Sequence, residues 1–288
     1  MTPGVSVPVK PLSIWHPIHL GTDETGRPVF VNLAERNMLI GGEPGGGKSV
    51  ALQLIVAHGA LSADCKLILI DGKRVELGLW KECAEHFVGP SMDDAISVLG
   101  WLQQLIDERT DVLLQMKKRK VTPDMGWPFY LVPIDEVAYF SATKGTPAQQ
   151  KEFNALNRDV VARGRAPGII PVEATQRPSA DIIPTSLRDL FGYRWAFRCS
   201  TEASSDTILG HGWANAGYSA TEIDPQARGV SWLRAEDGLP RKIKAAYLSD
   251  EQIIALAERA AALRHQPRPD TSSSDRGNVI PLREGDAA

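Results

Sequence analysis

The sequence predicts an α/β fold in which a mainly parallel sheet carries helices on both faces, with a small hairpin near its N-terminal end. Three observations lead there. Short apolar runs recur along the chain: "NMLIGG" at 37–42, "CKLILID" at 65–71, "FYLVPIDE" at 129–136 and "GIIPVEAT" at 168–175. Strands buried on both faces read in this way, without polar alternation. Longer segments with apolar residues three and four apart, the helical period, lie between these runs. Strands alternating with helices build a parallel sheet. Finally, the glycine-rich stretch "GGEPGGGKS" stands between the first of these strands and an apolar helix.

Taken in order, residues 1–16 carry three prolines and are expected to form an extended arm. "IHLGTDETGRPVFVNL" (18–33) places two short apolar ends around a Gly/Asp/Thr turn, as a hairpin does. "SVALQLIVAHGALS" (49–62) is apolar nearly all round and suits a core helix. Residues 93–120 predict a long amphipathic helix ending in the basic run "MKKRK", and 148–166 a second helix stopping near Gly164. "GYRWAFR" (192–198) and "RGVSWLR" (228–234) add strands. Pro133 and Pro171 fall inside predicted central strands, where a missing N–H interrupts the ladder. Either those strands are locally irregular or their boundaries shift by a residue or two. A C-terminal helix is expected over 251–264, and the polar stretch 265–288 has too few apolar residues to order itself.

Composition narrows the class. The 288 residues are 43% hydrophobic and 23% charged, which is globular. A net charge of −3 gives no chain-wide basic signature, though a pore needs only local charge. Cys65, Cys83 and Cys199 fit neither a disulfide framework nor a zinc pattern, which points to a reducing cytosol. His16 and His19 have no Cys or carboxylate cluster beside them, so packing roles are expected for them rather than a metal. No run reaches the ~18 apolar residues of a membrane span, and the first residues lack a signal-type apolar region. A cytoplasmic protein is expected, any membrane association coming through a partner.

The chemistry concentrates in the glycines. Gly42–Ser49 matches G-x-x-x-x-G-K-[ST] in full, between strand and helix as that motif requires. Backbone N–H groups from Gly42, Glu43, Pro44 (which contributes only its fixed turn), Gly45, Gly46, Gly47, Lys48, Ser49 and Val50 would surround phosphate oxygens at the positive end of a helix. Lys48 is expected on the β- and γ-phosphates of ATP, and the Ser49 hydroxyl on Mg²⁺. Asp135, ending a buried strand, is placed to accept from the Mg²⁺ hydration shell. Glu136 next to it is placed to orient or deprotonate an attacking water. Gln176, at the end of the strand "EAT", could contact the γ-phosphate. Arg158, Arg163 and Arg165 lie in "RDVVARGRAPG", and Arg163 or Arg165 is the candidate to reach a neighbouring subunit's site.

The order of "GGEPGGGKS", "LILIDGKRVELGLW", "PIDEVAYF", "ARGRAPGIIPVEATQRPS" and "FRCSTEASSDTILG" resembles the FtsK/SpoIIIE family of DNA-translocase motors over about residues 17–250. The compact form and the stretch "SSDTILGHGWANAGYSA" are similar to the transfer proteins of actinobacterial conjugative plasmids and integrative elements. The resemblance implies a RecA-like core, a homo-oligomeric ring of six and ATP-driven movement along double-stranded DNA. It implies that Lys48, Asp135 and Glu136 carry hydrolysis, and that Asp71 and Lys73 stand where the family has Asp-Pro-Lys. Three departures from the family pattern are expected: no N-terminal membrane region, no winged-helix module after residue 250, and Asp206 where the resemblance would place an arginine. DNA contacts are sought in "MKKRK" (116–120), Arg177 and Arg188. Two other readings stay open: a type VII secretion-like ATPase that moves proteins, and a nucleotide-dependent switch.

Overall fold

The structure is a computed structural model describing residues 12–236 and 238–265. Its strands are β1 (Ile18–Asp23), β2 (Pro28–Val31), β3 (Met38–Gly41), β4 (Cys65–Asp71), β5 (His86–Val88), β6 (Phe129–Asp135), β7 (Ile169–Thr175), β8 (Tyr193–Phe197), β9 (Val230–Ala235) and β10 (Arg241–Ala245). The helices are α1 (Lys48–Leu61), α2 (Met92–Gln115), α3 (Pro147–Arg163), α4 (Thr185–Arg188), α5 (Glu202–Leu209) and α6 (Asp250–His265). One sheet joins all these strands in the order β2-β1-β10-β9-β8-β3-β7-β6-β4-β5. From β8 to β5 every pairing is parallel. From β8 outward through β9, β10, β1 and β2 every pairing is antiparallel.

The parallel half sorts its apolar side chains with period two, although both sets are buried. Met38 and Ile40 of β3, Leu67 and Leu69 of β4, and Trp195 and Phe197 of β8 join the core beneath α1 and α6. Leu39, Ile68, Ile70 and Ala196 join the core beneath α2, α3 and α5. Two helix layers therefore sandwich the sheet, as the sequence predicts. The hairpin is also present, but it is not a separate unit. β1 pairs with β10, and β10 pairs with β9, so the hairpin extends the sheet. β10, "RKIKA", is a strand the sequence reading misses. Only Ile243 and Ala245 point inward, and three cations hide the alternation.

The two prolines lie inside their strands. The β4–β6 ladder runs from Cys65↔Phe129 to Leu67↔Leu131 and resumes at Ile70↔Ile134, skipping Pro133, which has no N–H to give. The β3–β7 ladder begins at Val172, directly after Pro171. The boundaries are not misplaced: the β6–β7 ladder runs unbroken through both prolines, pairing Val132 with Pro171 and Pro133 with Val172, and the interruption is confined to the β4–β6 ladder at Pro133.

Two expectations are corrected. The long helix ends at Gln115, short of Lys120. Lys117 adopts φ 55°, its N–H bonds to the Leu114 carbonyl at 3.0 Å, and the Lys118 N–H reaches Leu113 at 2.8 Å. This is a Schellman closure, built without the glycine that usually signals it. Residues 12–16 of the expected arm are tied down: Ser13 and the Ile14 N–H both donate to Asp64, at 2.6 and 2.8 Å, and Ile14 is fully buried. Residues 1–11, and all of the expected polar tail beyond His265, lie outside the described residues.

Candidate functional site: the phosphate-binding loop and its carboxylates

β3 runs between β7 and β8, parallel to both, and the glycine-rich loop leaves its C-terminal end at the centre of the sheet. The loop is anchored from three sides. The Gly42 N–H donates to Thr175 at 3.2 Å, the Glu43 N–H to Arg198 at 2.9 Å, and Gly46 accepts from the Gly229 N–H at 2.9 Å. Gly47 caps α1 with φ 115°, and a Cβ there would stand 2.9 Å from the Gly229 Cα. Only glycine satisfies both the dihedral and the contact. The cap makes no side-chain hydrogen bond, and the first turn of α1 has no acidic residue. The N–H groups of Lys48, Ser49 and Val50 thus have no intrahelical acceptor and lie at the positive end of the helix dipole.

Lys48 and Asp135 form a buried ion pair, Nζ to Oδ1 at 2.8 Å, with side chains 3% and 1% exposed. β6 delivers Asp135 in register with Asp71 of β4. Glu136 turns aside. Its φ of 56° is left-handed, a conformation that costs a non-glycine residue about 1–2 kcal/mol. That turn carries its carboxylate across to β7, where the Thr175 hydroxyl donates to Oε1 at 2.9 Å and the Gln176 N–H to Oε2 at 3.0 Å. Lys73 stands 4.0 Å from Oε2. Gln176 therefore serves twice, holding Glu136 with its backbone while its residue lines the cavity beside Lys48 and Ser49.

Four residues here escape the sequence reading. Glu76 accepts from the Ser49 hydroxyl at 2.7 Å. It is placed by Asp71, which is buried and accepts from the N–H groups of Lys73, Arg74 and Leu77 at 2.9, 2.8 and 2.9 Å. Asp71 thus organises the loop that presents Glu76. A cavity of about 360 Å³ opens in front of the P-loop, and Arg228, Lys244 and Tyr247 form its far wall. No local signal marks these three, because they come from the antiparallel edge beyond the recognisable motifs.

Other candidates fall elsewhere. Arg163, at the end of α3, is bound to Asp159 at 2.8 Å and also to Asp107. Arg165 pairs with Glu236 at 3.0 Å and donates to the Glu35 carbonyl at 2.9 Å. Both precede β7, whose other end holds Thr175, so within one chain neither joins the loop. Arg188 is 8% exposed and tied to Asp189, so it is not a surface cation. Arg177 is exposed. Within "MKKRK", Lys118 pairs with Asp124 and Lys120 with Glu35. Asp206, in place of the family's arginine, accepts from the N–H groups of Gly212 and Ala214 at 2.7 and 2.9 Å and shapes the turn after α5.

The donor set suits a nucleotide with a hard cation: a hydroxyl, buried carboxylates, one lysine and bare backbone N–H groups, all oxygen or cationic nitrogen. Fold and loop together define a P-loop ATPase core. Residues 13–128 match the sequence model of the FtsK/SpoIIIE family. The DNA translocase FtsK of Haemophilus influenzae is 27% identical over 281 residues, which cover 84% of this chain and 51% of that protein. The DNA translocase FtsK of Treponema pallidum is 31% identical over 255 residues, 82% of this chain and 30% of that protein. FtsK/SpoIIIE family sequence is thus present over residues 13–128, and the chain spans about half or less of the length of these relatives. Among solved structures, the pCW3 conjugation coupling protein TcpA, in a monomer form with ATPγS, superposes with a TM-score of 0.75 at 19% identity over 87% of this chain and 71% of that one. The cytoplasmic domain of the type VII secretion ATPase EccC of Thermomonospora curvata gives 0.67 at 19% identity over 93% of this chain and 33% of that one. At such identity these two likenesses speak to the fold alone.

Proposed function

We propose that this chain hydrolyses ATP with Mg²⁺ and uses the energy to move double-stranded DNA, in transfer of a mobile element or in chromosome partitioning. The observation that carries the reading is the convergence of Lys48, Asp135 and Glu136 at one loop, from α1 and β6. Lys48 and the loop N–H groups bind the phosphates. Ser49 and Asp135 would hold Mg²⁺, with Glu76 orienting the Ser49 hydroxyl as an outer carboxylate. When bound, the cation would neutralise negative charge on the phosphates. Glu136, its two oxygens fixed by Thr175 and Gln176, takes the proton of the attacking water, and Gln176 reads the γ-phosphate. The kinship to FtsK translocases supports DNA as the cargo.

The same reading assembles six copies into a cytoplasmic ring, recruited to the membrane by an anchored partner. Within it, Arg163 or Arg165 exchanges its intramolecular carboxylate for the neighbour's phosphates. Steady-state ATPase with and without long double-stranded DNA, at two salt concentrations, tests the proposal. The expected result is a DNA-dependent rise that fades with salt and is lost in Glu136→Gln, which still binds ATP. Stimulation by secreted-protein peptides but not DNA would move the cargo to protein. Tight ATP binding with no stimulated turnover would make the protein a switch.

A further inference from the structure

A P-loop grips phosphate and is blind to the base beyond it. The opposite wall of the cavity is built of Arg228 and Gly229, just before β9, and of the end of β10 with Ala246 and Tyr247 beyond it, and its backbone is hydrogen-bonded to the loop. The Gly229 N–H donates to the Gly46 carbonyl at 2.9 Å, the Ala245 N–H to the Gly229 carbonyl at 2.8 Å, and the Ala246 N–H to the Leu20 carbonyl at 2.8 Å. The backbone that presents the next residue, Tyr247, is therefore registered both to the phosphate loop and to β1.

Tyr247 is 73% exposed, yet it lines the same cavity as Ser49 and Val50. Among the described residues its ring and hydroxyl have no recorded hydrogen bond, ion pair or ring partner. A lone exposed aromatic on a surface means little. This one sits on a fixed backbone, at the mouth of a phosphate site, with its π-face unused. Lys244 is held to the Arg228 carbonyl, and both residues line the cavity beside Tyr247.

We infer that Tyr247 is the base platform of this site: the nucleobase of the bound nucleotide stacks on its ring, while Arg228 and Lys244 flank the sugar–phosphate side. The inference rests on the ATP reading above and adds to it a residue that senses the base. Stacking on an aromatic is worth enough to matter: its loss weakens binding about five- to hundredfold. It acts on nucleosides only, because inorganic polyphosphate has no π-face.

The test is equilibrium binding of Mg·ADP and of Mg·tripolyphosphate to the full chain as wild type, Tyr247→Ala, Tyr247→Phe and Lys48→Ala, with thermal unfolding to verify the fold. Expected are a five- to hundredfold weaker ADP affinity in Tyr247→Ala, retention within about twofold in Tyr247→Phe, and unchanged tripolyphosphate affinity in both. Lys48→Ala should weaken both ligands. Unchanged ADP affinity in Tyr247→Ala overturns the platform and leaves the ATP reading intact. Equal weakening of tripolyphosphate also overturns it, because Tyr247 would then act through the loop. A wild type that binds neither ligand overturns the ATP reading and the platform together.

Discussion

Replacing Lys48 by alanine disturbs a buried ion pair before it disturbs any chemistry. Its ammonium lies 2.8 Å from Asp135, and the two side chains are 3% and 1% exposed. Removing the cation strands a carboxylate at the floor of the sheet without its counter-charge, a change that costs about 3–5 kcal/mol. Removing both charges, in Lys48→Met/Asp135→Asn, leaves no uncompensated ion, and most of that loss should return. The assay is urea unfolding followed by far-UV circular dichroism, without nucleotide and with EDTA present, so that ligand binding cannot contribute. With a slope of roughly 3 kcal/mol/M, the midpoint of Lys48→Ala should fall by about 1 M or more. The double variant should lie well above the sum of the two single losses. A Lys48→Ala midpoint within experimental error of wild type would refute the reasoning, as would strictly additive effects. Either would mean that Asp135 is solvated or re-paired when Lys48 leaves.

Glu173 predicts a pH dependence. It is fully buried in β7, and burial raises its carboxyl to about 7 although Asn157 donates to it at 2.8 Å. Between the unfolded value of 4.5 and about 7 the folded chain keeps a proton that the unfolded chain has released, so stability falls as pH rises through this window, by ~3 kcal/mol in all. Glu173→Gln should flatten that slope, because an amide takes up and releases no proton in this range; parallel pH profiles for the two proteins would disprove the assignment. In Gly47→Ala, the new Cβ meets Gly229 at 2.9 Å in a left-handed residue. ADP affinity should fall at least about tenfold with the fold intact, since the strain alone is ~1–2 kcal/mol; titration calorimetry decides, and wild-type affinity would mean that the loop tolerates displacement.

How much was legible depended on how local the signal was. The phosphate loop, the long buried strands, the hairpin and the helices α1, α2, α3 and α6 each carry their pattern within a few residues, so a linear reading finds them, whereas the short β5, α4 and α5 are too brief to show a period and were not read. The end of α2 was not legible, because a lysine takes the left-handed position where glycine would have marked the stop. β10 was not legible either, because its pairing with β1 and β9, rather than its own apolarity, makes it a strand.

The same division runs through the site. The residues Lys48, Ser49, Asp135 and Glu136 are named by motif, and their spacing needs no structure to suggest phosphate chemistry. What the tertiary structure alone decided is who holds them: Thr175 and Gln176 on Glu136, Glu76 on Ser49, and Gly229 on the loop itself. It also decided that Arg163 and Arg165 spend their charge on carboxylates of their own chain, and that Asp206 shapes a turn. The physical reason is distance along the chain. A motif records which groups the chemistry requires, whereas a hydrogen bond between residues 39 or 40 positions apart exists only once the strands that carry them lie side by side.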